Sequence, residues 1–215
     1  MMKRNELARE VHRRLEAQDL VVCGLGATEA AFRSVQPRCH TYFASDPMGA
    51  WSSVALGLAL AQPQRRVFLL AGDGDLLMSL PSLATIAQAG PANLRIVVFQ
   101  NGAYSSTGGQ RLAVDDRLDF AAVARGVGFA HAVEVRAAGS VAEVLDALAA
   151  ARGPALVSAL LEDEPCPAAP AGAWSQVEER TMFMRALLGP QGVGSPAASP
   201  AMTAPVASSA AGARK

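Results

Sequence analysis

Two short runs, Arg66 to Ala71 and Leu94 to Phe99, are rich in large and β-branched apolar residues and read as strands buried on both faces. Between them, Leu76 to Ala89 has helical spacing, with Leu77, Leu80, Leu83, Ala84 and Ala87 on one stripe. Strand, helix and strand in that order make a βαβ unit, whose strands are parallel, neighbouring and joined right-handedly. The first strand runs into Gly72-Asp73-Gly74 and the second into Gln100-Asn101-Gly102. Asp73 and Asn101 are therefore expected side by side on the carboxyl edge of a sheet, where open α/β sheets bind ligands.

A carboxylate and an amide oxygen are hard donors suited to Mg²⁺, an ion commonly shared with substrate phosphates. Gly74 lets backbone approach closely. The helix after it is expected to offer free N–H groups and a positive dipole end to a phosphate. Gly-Asp-Gly alone is an ordinary turn; its pairing with Asn101 across a βαβ unit carries the signal.

The rest of the chain extends the α/β alternation. Asn5 to Gln18 reads as an amphipathic helix through Leu7, Val11 and Leu15, and Leu20 to Cys23 as a buried strand. The turn Gly24-Leu-Gly26-Ala-Thr28 is close to a dinucleotide fingerprint, but Glu29 occupies the third glycine position, which argues against an NAD site. Thr41 to Ala44 is the next strand, and Ala50 to Ala61 a helix of small residues. Asp119 caps Phe120 to Arg125, with Gly126 and Gly128 ending that helix. Ala132 to Val135 is a strand, Ser140 and Glu143 form a capping box opening a helix to Ala151, and Pro154 to Leu161 is the last strand. Pro165 to Pro170 reads as a linker before a helix over Val177 to Leu188. The expectation is an α/β/α domain with a mostly parallel sheet over 1–188. The Ala-, Pro- and Ser-rich residues 189–215 cannot offset their ordering entropy and are expected to form a disordered tail.

Composition narrows the function. Nineteen basic and nineteen acidic residues leave no electrostatic footprint for nucleic acid or a membrane surface. No apolar run approaches the roughly 18 residues of a membrane span, and the charged amphipathic start does not read as a leader. Cys23, Cys39 and Cys166 lack Cys-x-x-Cys spacing, which fits a reducing, cytoplasmic setting and argues against zinc or an iron–sulfur cluster. His12, His40 and His131 read as structural, and the absence of Gly-x-Ser-x-Gly argues against a serine hydrolase.

The GDG motif followed by Gln100-Asn101 resembles the diphosphate-binding domain of thiamine diphosphate enzymes, with the first Asn of the usual pair replaced and the metal position kept. Met48 to Leu60 resembles the helix that precedes GDG in that family. Asn101-Gly-Ala-Tyr-Ser-Ser-Thr-Gly-Gly-Gln110 is similar to the loop of phosphonopyruvate and sulfopyruvate decarboxylases. The resemblance covers about Leu20 to Glu162, and Met182 to Leu187 looks like that subgroup's terminal helix. It implies the thiamine diphosphate-binding fold, with Mg²⁺ held by Asp73, the side chain of Asn101 and the carbonyl of Ala103. Cofactor contacts are implied for Gly26, Thr28, Met48, Gly49, Gly72, Gly74, Asp75, Ala103 and Tyr104, with Met48 wedged behind the bent cofactor. Asp46-Pro47 stands where the decarboxylases usually have Gly-Ser. Asp75 stands where a small neutral residue is usual, either as a helix N-cap or facing a metal-bound water.

The implied activity is non-oxidative decarboxylation of a sulfopyruvate- or phosphonopyruvate-like 2-oxo acid by the cofactor, which the protein positions. Ser105, Ser106, Thr107 and Gln110 are expected on a loop that closes over the site. The alternatives are an acetolactate synthase-like carboligase subunit, or a module that binds the cofactor without turnover. This family also needs a pyrimidine-binding domain carrying a Glu, and a chain used up by one sheet has no room for it. Glu29 and Glu143 are not placed to substitute. No catalytic residue is therefore assigned to this chain. The resemblance implies a β subunit that forms a hetero-oligomer with an α-type partner carrying the Glu, or self-associates when alone.

Overall fold

The computed structural model describes residues 1–37, 39–44, 47–114, 118–166 and 175–188. Asp46, part of the expected linker and the expected tail lie outside the described residues. Six parallel strands form the central sheet: β1 (Leu20–Cys23), β2 (His40–Phe43), β3 (Val67–Gly72), β4 (Leu94–Gln100), β7 (His131–Val135) and β8 (Ala155–Leu160). A short antiparallel pair, β5 (Ala103–Tyr104) and β6 (Gln110–Arg111), stands apart from it. The order across the large sheet is β2-β1-β3-β4-β8-β7.

Alternation along the strands supplies both faces. In β3, Val67, Leu69 and Ala71 enter one apolar cluster while Phe68 and Leu70 enter the other; in β4, Leu94, Ile96 and Val98 oppose Val97 and Phe99. The first cluster lies beneath α3 (Trp51–Ala61), α5 (Ser82–Ala89) and α6 (Phe120–Gly126), and the second beneath α1 (Arg4–Arg13), α2 (Ala27–Ser34) and α7 (Val141–Ala150). Two helical layers enclosing one sheet make the expected α/β/α architecture. At the β2 edge, α8 (Gln176–Leu188) is pinned by Arg33, which forms two 2.7 Å bonds to Glu179 and a 2.8 Å bond to Glu29.

Several local expectations fail for physical reasons. The helix expected over Leu76 to Ala89 is two, α4 (Asp73–Met78) and α5, broken at Ser79 to Pro81, because the ring of Pro81 cannot continue an α-helical ladder. The face shifts with the break: Leu76, Leu83 and Ile86 are buried, while Ala84 is exposed. The first helix ends at Arg13 rather than Gln18. Ser140 forms no capping box, since its hydroxyl donates to the Ala137 carbonyl at 3.0 Å. Asp119 does cap α6, accepting from Ala122 N–H at 2.8 Å.

Candidate functional site

Chain direction reverses between β1 and β3: β1 leads outward to β2, and the chain returns across β1 to form β3. The carboxyl ends flanking such a switch point splay apart and leave a crevice. A cleft of about 80 Å³ lies there, lined by the β1–α2 turn (Leu25, Ala27, Thr28), the β3–α4 turn (Gly72 to Asp75) and the segment after β4 (Asn101, Ala103 to Thr107). Met48, Phe99, Leu161 and Arg4 complete it.

The β3–β4 register sets Gly72 opposite Phe99, so the next residues of both strands meet above the sheet. Asp73, 1% exposed, accepts from Gly74 N–H at 2.8 Å and from Gly102 N–H at 2.6 Å. Burial pushes its carboxyl up to about 6, against the downward pull of the Gly102 and Gly74 N–H groups. No cationic side chain pairs with it among the described residues. A buried carboxylate with no cationic partner is a group suited to bind a cation.

The amide of Asn101 gives the geometric test. With its nitrogen inward, it donates to Asp73 Oδ1 at 3.2 Å and to the Ala103 carbonyl at 3.1 Å, while its oxygen accepts from Ser105 Oγ at 2.6 Å. That arrangement satisfies every group without a metal. Turned over, Nδ2 donates to Ser105 Oγ at 2.6 Å and the amide oxygen faces two other oxygens at those same separations. Neighbouring ligands of octahedral Mg²⁺, bound at about 2.1 Å, lie roughly 3 Å apart. The Asn101 oxygen thus stands from Asp73 Oδ1 and from the Ala103 carbonyl at the spacing of neighbouring ligands on an octahedral cation. Among the described residues no three His, Cys, Asp or Glu side chains gather as a metal site, so this set rests on one carboxylate.

Of the residues expected to contact a cofactor, Thr28, Met48, Gly72, Gly74, Asp75, Ala103 and Tyr104 line the cleft, and Gly26 and Gly49 do not. Gly26 and Gly49 instead shape their turns, with φ of +72° and +87°. Asp75 corrects the expectation that it caps the helix. It lies inside α4 rather than at its N-cap, which is Gly72, and its Oδ1 accepts from Gly49 N–H at 2.6 Å. The carboxylate ties the Met48 turn to the β3–α4 turn, and burial raises its pKa while the Gly49 bond pulls it down. Nor does Gly74 open toward ligand backbone. A Cβ there would stand 2.5 Å from Tyr104 Cε1, so it is Tyr104 that needs this glycine. Its N–H is also taken, by Asp73 Oδ1.

Ser105 to Thr107 form a 3₁₀ turn, and all three line the cleft; Gln110 lies outside it, bonded back to Thr107. Ser106 sits against Gly26, where a Cβ would collide with its hydroxyl. His40, at the start of β2, does not reach the cleft. The sequence reading missed Arg4 and Leu161, which a long-range pairing of Met2 with Leu161 brings to the site. No local pattern around position 4 signals that pairing.

A carboxylate, an amide and a carbonyl converge at the switch point of a parallel sheet, where open α/β domains bind their ligands. Residues 24–159 match the family described as thiamine pyrophosphate enzyme, C-terminal TPP binding domain, and the chain belongs to that family. It is 40% identical over 129 residues to the sulfopyruvate decarboxylase subunit beta of Methanothermobacter thermautotrophicus, covering 60% of this chain and 68% of that one. It is 38% identical over 140 residues to phosphonopyruvate decarboxylase of Streptomyces hygroscopicus, covering 64% of this chain but only 34% of that protein. Benzoylformate decarboxylase from Polynucleobacter necessarius shares the fold, with a TM-score of 0.64 at 22% identity over 76% of this chain and 34% of that one. Among the described residues no helix is long and apolar enough to cross a membrane.

Proposed function

We propose that this chain is the diphosphate- and Mg²⁺-binding β subunit of a thiamine diphosphate-dependent decarboxylase acting on a sulfopyruvate- or phosphonopyruvate-like 2-oxo acid. The observation that carries the reading is the Asn101 oxygen, spaced from Asp73 and from the Ala103 carbonyl as neighbouring ligands of an octahedral cation are, beside a phosphate-sized cleft. The relatives named as a subunit beta support a two-chain enzyme. An α-type partner would supply the pyrimidine-binding domain and its Glu. Three free cysteines are compatible with the cytoplasm as its compartment.

Bound here, thiamine diphosphate supplies the carbon nucleophile that holds the electrons released when CO₂ leaves. The chain's own residues position it. Asp73, Asn101 and Ala103 hold the metal, and the Thr28 hydroxyl lies beside Gly72, where it can donate to a phosphate. Met48 lines the cleft on a turn fixed by Asp75, as a support behind the cofactor needs. At about 80 Å³ the cleft is smaller than the ~300–1,000 Å³ of small-molecule sites. The Ser105 to Thr107 turn lies against Gly26 at the mouth of the cleft, and the remaining volume of the cofactor site would be supplied at the partner's pyrimidine-binding domain.

Calorimetric titration with Mg²⁺ and thiamine diphosphate tests the metal assignment: Asp73→Ala should abolish binding, and undiminished affinity would sink it. Met48→Leu should be nearly neutral, and Met48→Ala should lose more turnover than stability. The purified chain should form no aldehyde from sulfopyruvate or phosphonopyruvate until an α-type partner is added. Steady turnover by the single chain would overturn the two-subunit reading.

A further inference from the structure

Among the described residues Arg4 is the only cationic side chain lining the cleft, and the residue is 4% exposed. The amino-terminal segment carries it there by running alongside the extension of β8. Met2 pairs in parallel with Leu161, Glu162 N–H donates to the Met2 carbonyl at 3.0 Å, and Arg4 N–H donates to Glu164 Oε2 at 3.1 Å. The guanidinium then makes two bonds, both to neutral carbonyls: Nη2 to Glu164 at 2.9 Å and Nη1 to Pro165 at 3.3 Å. It forms no ion pair among the described residues.

Arg95, buried to the same 4%, is also held by carbonyls alone, but it lies at the start of β4 and away from the cleft, whereas the other enclosed guanidinium groups are ion-paired. Arg33 meets two carboxylates, and Arg66 meets Asp19 at 2.6 Å. A buried cation costs much unless a counter-charge meets it, and a guanidinium offers five donors in a planar fork suited to an oxyanion. The cleft's other charged side chains are Asp73 and Asp75, which repel anions. A divalent ion on Asp73 reverses the sign there, and Arg4 adds the remaining positive charge. The Ala27 end of α2, whose N-cap Gly26 provides no side-chain bond, opens onto the same space.

We propose that Arg4 is the oxyanion receptor of this cleft: its guanidinium exchanges the long bond to Pro165 for a paired contact with a tetrahedral oxyanion. Two sources carry that chemistry, a phosphoryl group of the cofactor and the sulfo or phosphono group of the substrate. The identity of the ligand rests on the function proposed above; the charge logic of Arg4 does not.

The experiment titrates inorganic pyrophosphate, thiamine diphosphate and sulfoacetate, each with Mg²⁺, into wild type, Arg4→Lys and Arg4→Met. It uses the full chain, alone and with the α-type partner. Losing charge-assisted bonds should weaken the recognised anion about ten- to hundred-fold in Arg4→Met, with partial recovery in Arg4→Lys. The salt dependence of binding should flatten in Arg4→Met, which a purely structural role would not do. Weakening of both pyrophosphate and thiamine diphosphate identifies the cofactor as source, and weakening of sulfoacetate alone identifies the substrate. Equal affinity and equal salt dependence across the three proteins, or loss that Arg4→Lys shares in full with an equally lowered melting temperature, would overturn the proposal. If wild type binds pyrophosphate through Arg4 but not thiamine diphosphate, the cofactor reading fails and the anion site stands. If Arg4→Met binds all three ligands as wild type does, only the Arg4 inference fails.

Discussion

The two ends of the parallel sheet treat buried carboxylates in opposite ways. At the amino end, just before β1, Asp19 is fully buried and meets Arg66 through bonds of 2.9 and 2.6 Å, with Glu16 N–H adding a third at 2.7 Å. Just before β4, the Asn93 amide donates to the carbonyls of Ala59, Gln62 and Arg65 at 3.1, 3.0 and 2.7 Å. These partners close the bottom of the sheet. At the carboxyl end, among the described residues, Asp73 finds only backbone N–H groups and the Asn101 amide, Asp75 only one backbone donor, and the Arg4 guanidinium only neutral carbonyls. Three ionisable groups within one cleft therefore have no ion-pair partner among the described residues. For the carboxylates, the desolvation cost is offset by a counter-ion at the amino end and left for a ligand at the carboxyl end; the buried Arg95 guanidinium, held by carbonyls alone at the amino end, does not follow that division.

The largest effect should come from breaking the closed end. Arg66→Ala strips the buried Asp19 of its counter-ion, which should cost about 3–5 kcal/mol. For a chain of this size that is roughly a 10 °C fall in melting temperature. Cofactor affinity, measured below the transition, should not change. A melting temperature within a degree or two of wild type would show that the amino end is no more balanced than the carboxyl end.

Asp73 should behave in the opposite sense. Its folded pKa of about 6 lies above the unfolded value of about 3.9. The sign follows: its contribution to stability is fully present below about pH 4 and is lost as pH rises through about 6. In chelator, wild type should therefore lose stability relative to Asp73→Asn across that window, by up to about 3 kcal/mol. Mg²⁺ with thiamine diphosphate should restore wild type alone, by mass action on the folded state. Parallel pH profiles for the two proteins would remove the imbalance on which the comparison rests.

How much of this was legible in the sequence follows from the range of the interactions. The strands of the βαβ unit and the meeting of Asp73 with Asn101 could be read because apolar runs and right-handed crossovers are local rules. The break at Pro81 is local too, but an unbroken apolar spacing masked it. Asp75 could not be placed, because its partner is Gly49 N–H on a turn from another part of the sheet. Arg4 was invisible for the same reason: the Met2–Leu161 bridge joins distant segments, and nothing adjacent to Arg4 encodes it. Gly74 was given the right conformational reason but the wrong neighbour, since the aromatic ring of Tyr104 takes the space.

Gln100 sharpens the comparison most finely, because it stands at the carboxyl end yet is matched like the amino end. Its Oε1 accepts from the buried Ser158 hydroxyl at 2.6 Å and its Nε2 donates to the Leu118 carbonyl at 3.2 Å. It turns away from the cleft that its neighbour Asn101 lines. Gln100→Met keeps the volume but leaves Ser158 without an acceptor, which should cost about 1–3 kcal/mol. Removing both partners in Gln100→Met with Ser158→Ala should recover most of that loss, because an apolar pair of similar shape leaves no orphaned hydroxyl. The Leu118 carbonyl sets the residue of the deficit. Throughout the cycle the affinity for Mg²⁺ and thiamine diphosphate should stay within a factor of two or three of wild type, about 0.5 kcal/mol. A tenfold loss of affinity in the single variant, relieved or not by the second change, would place Gln100 with Asp73 and Asn101 among the groups that serve the ligand.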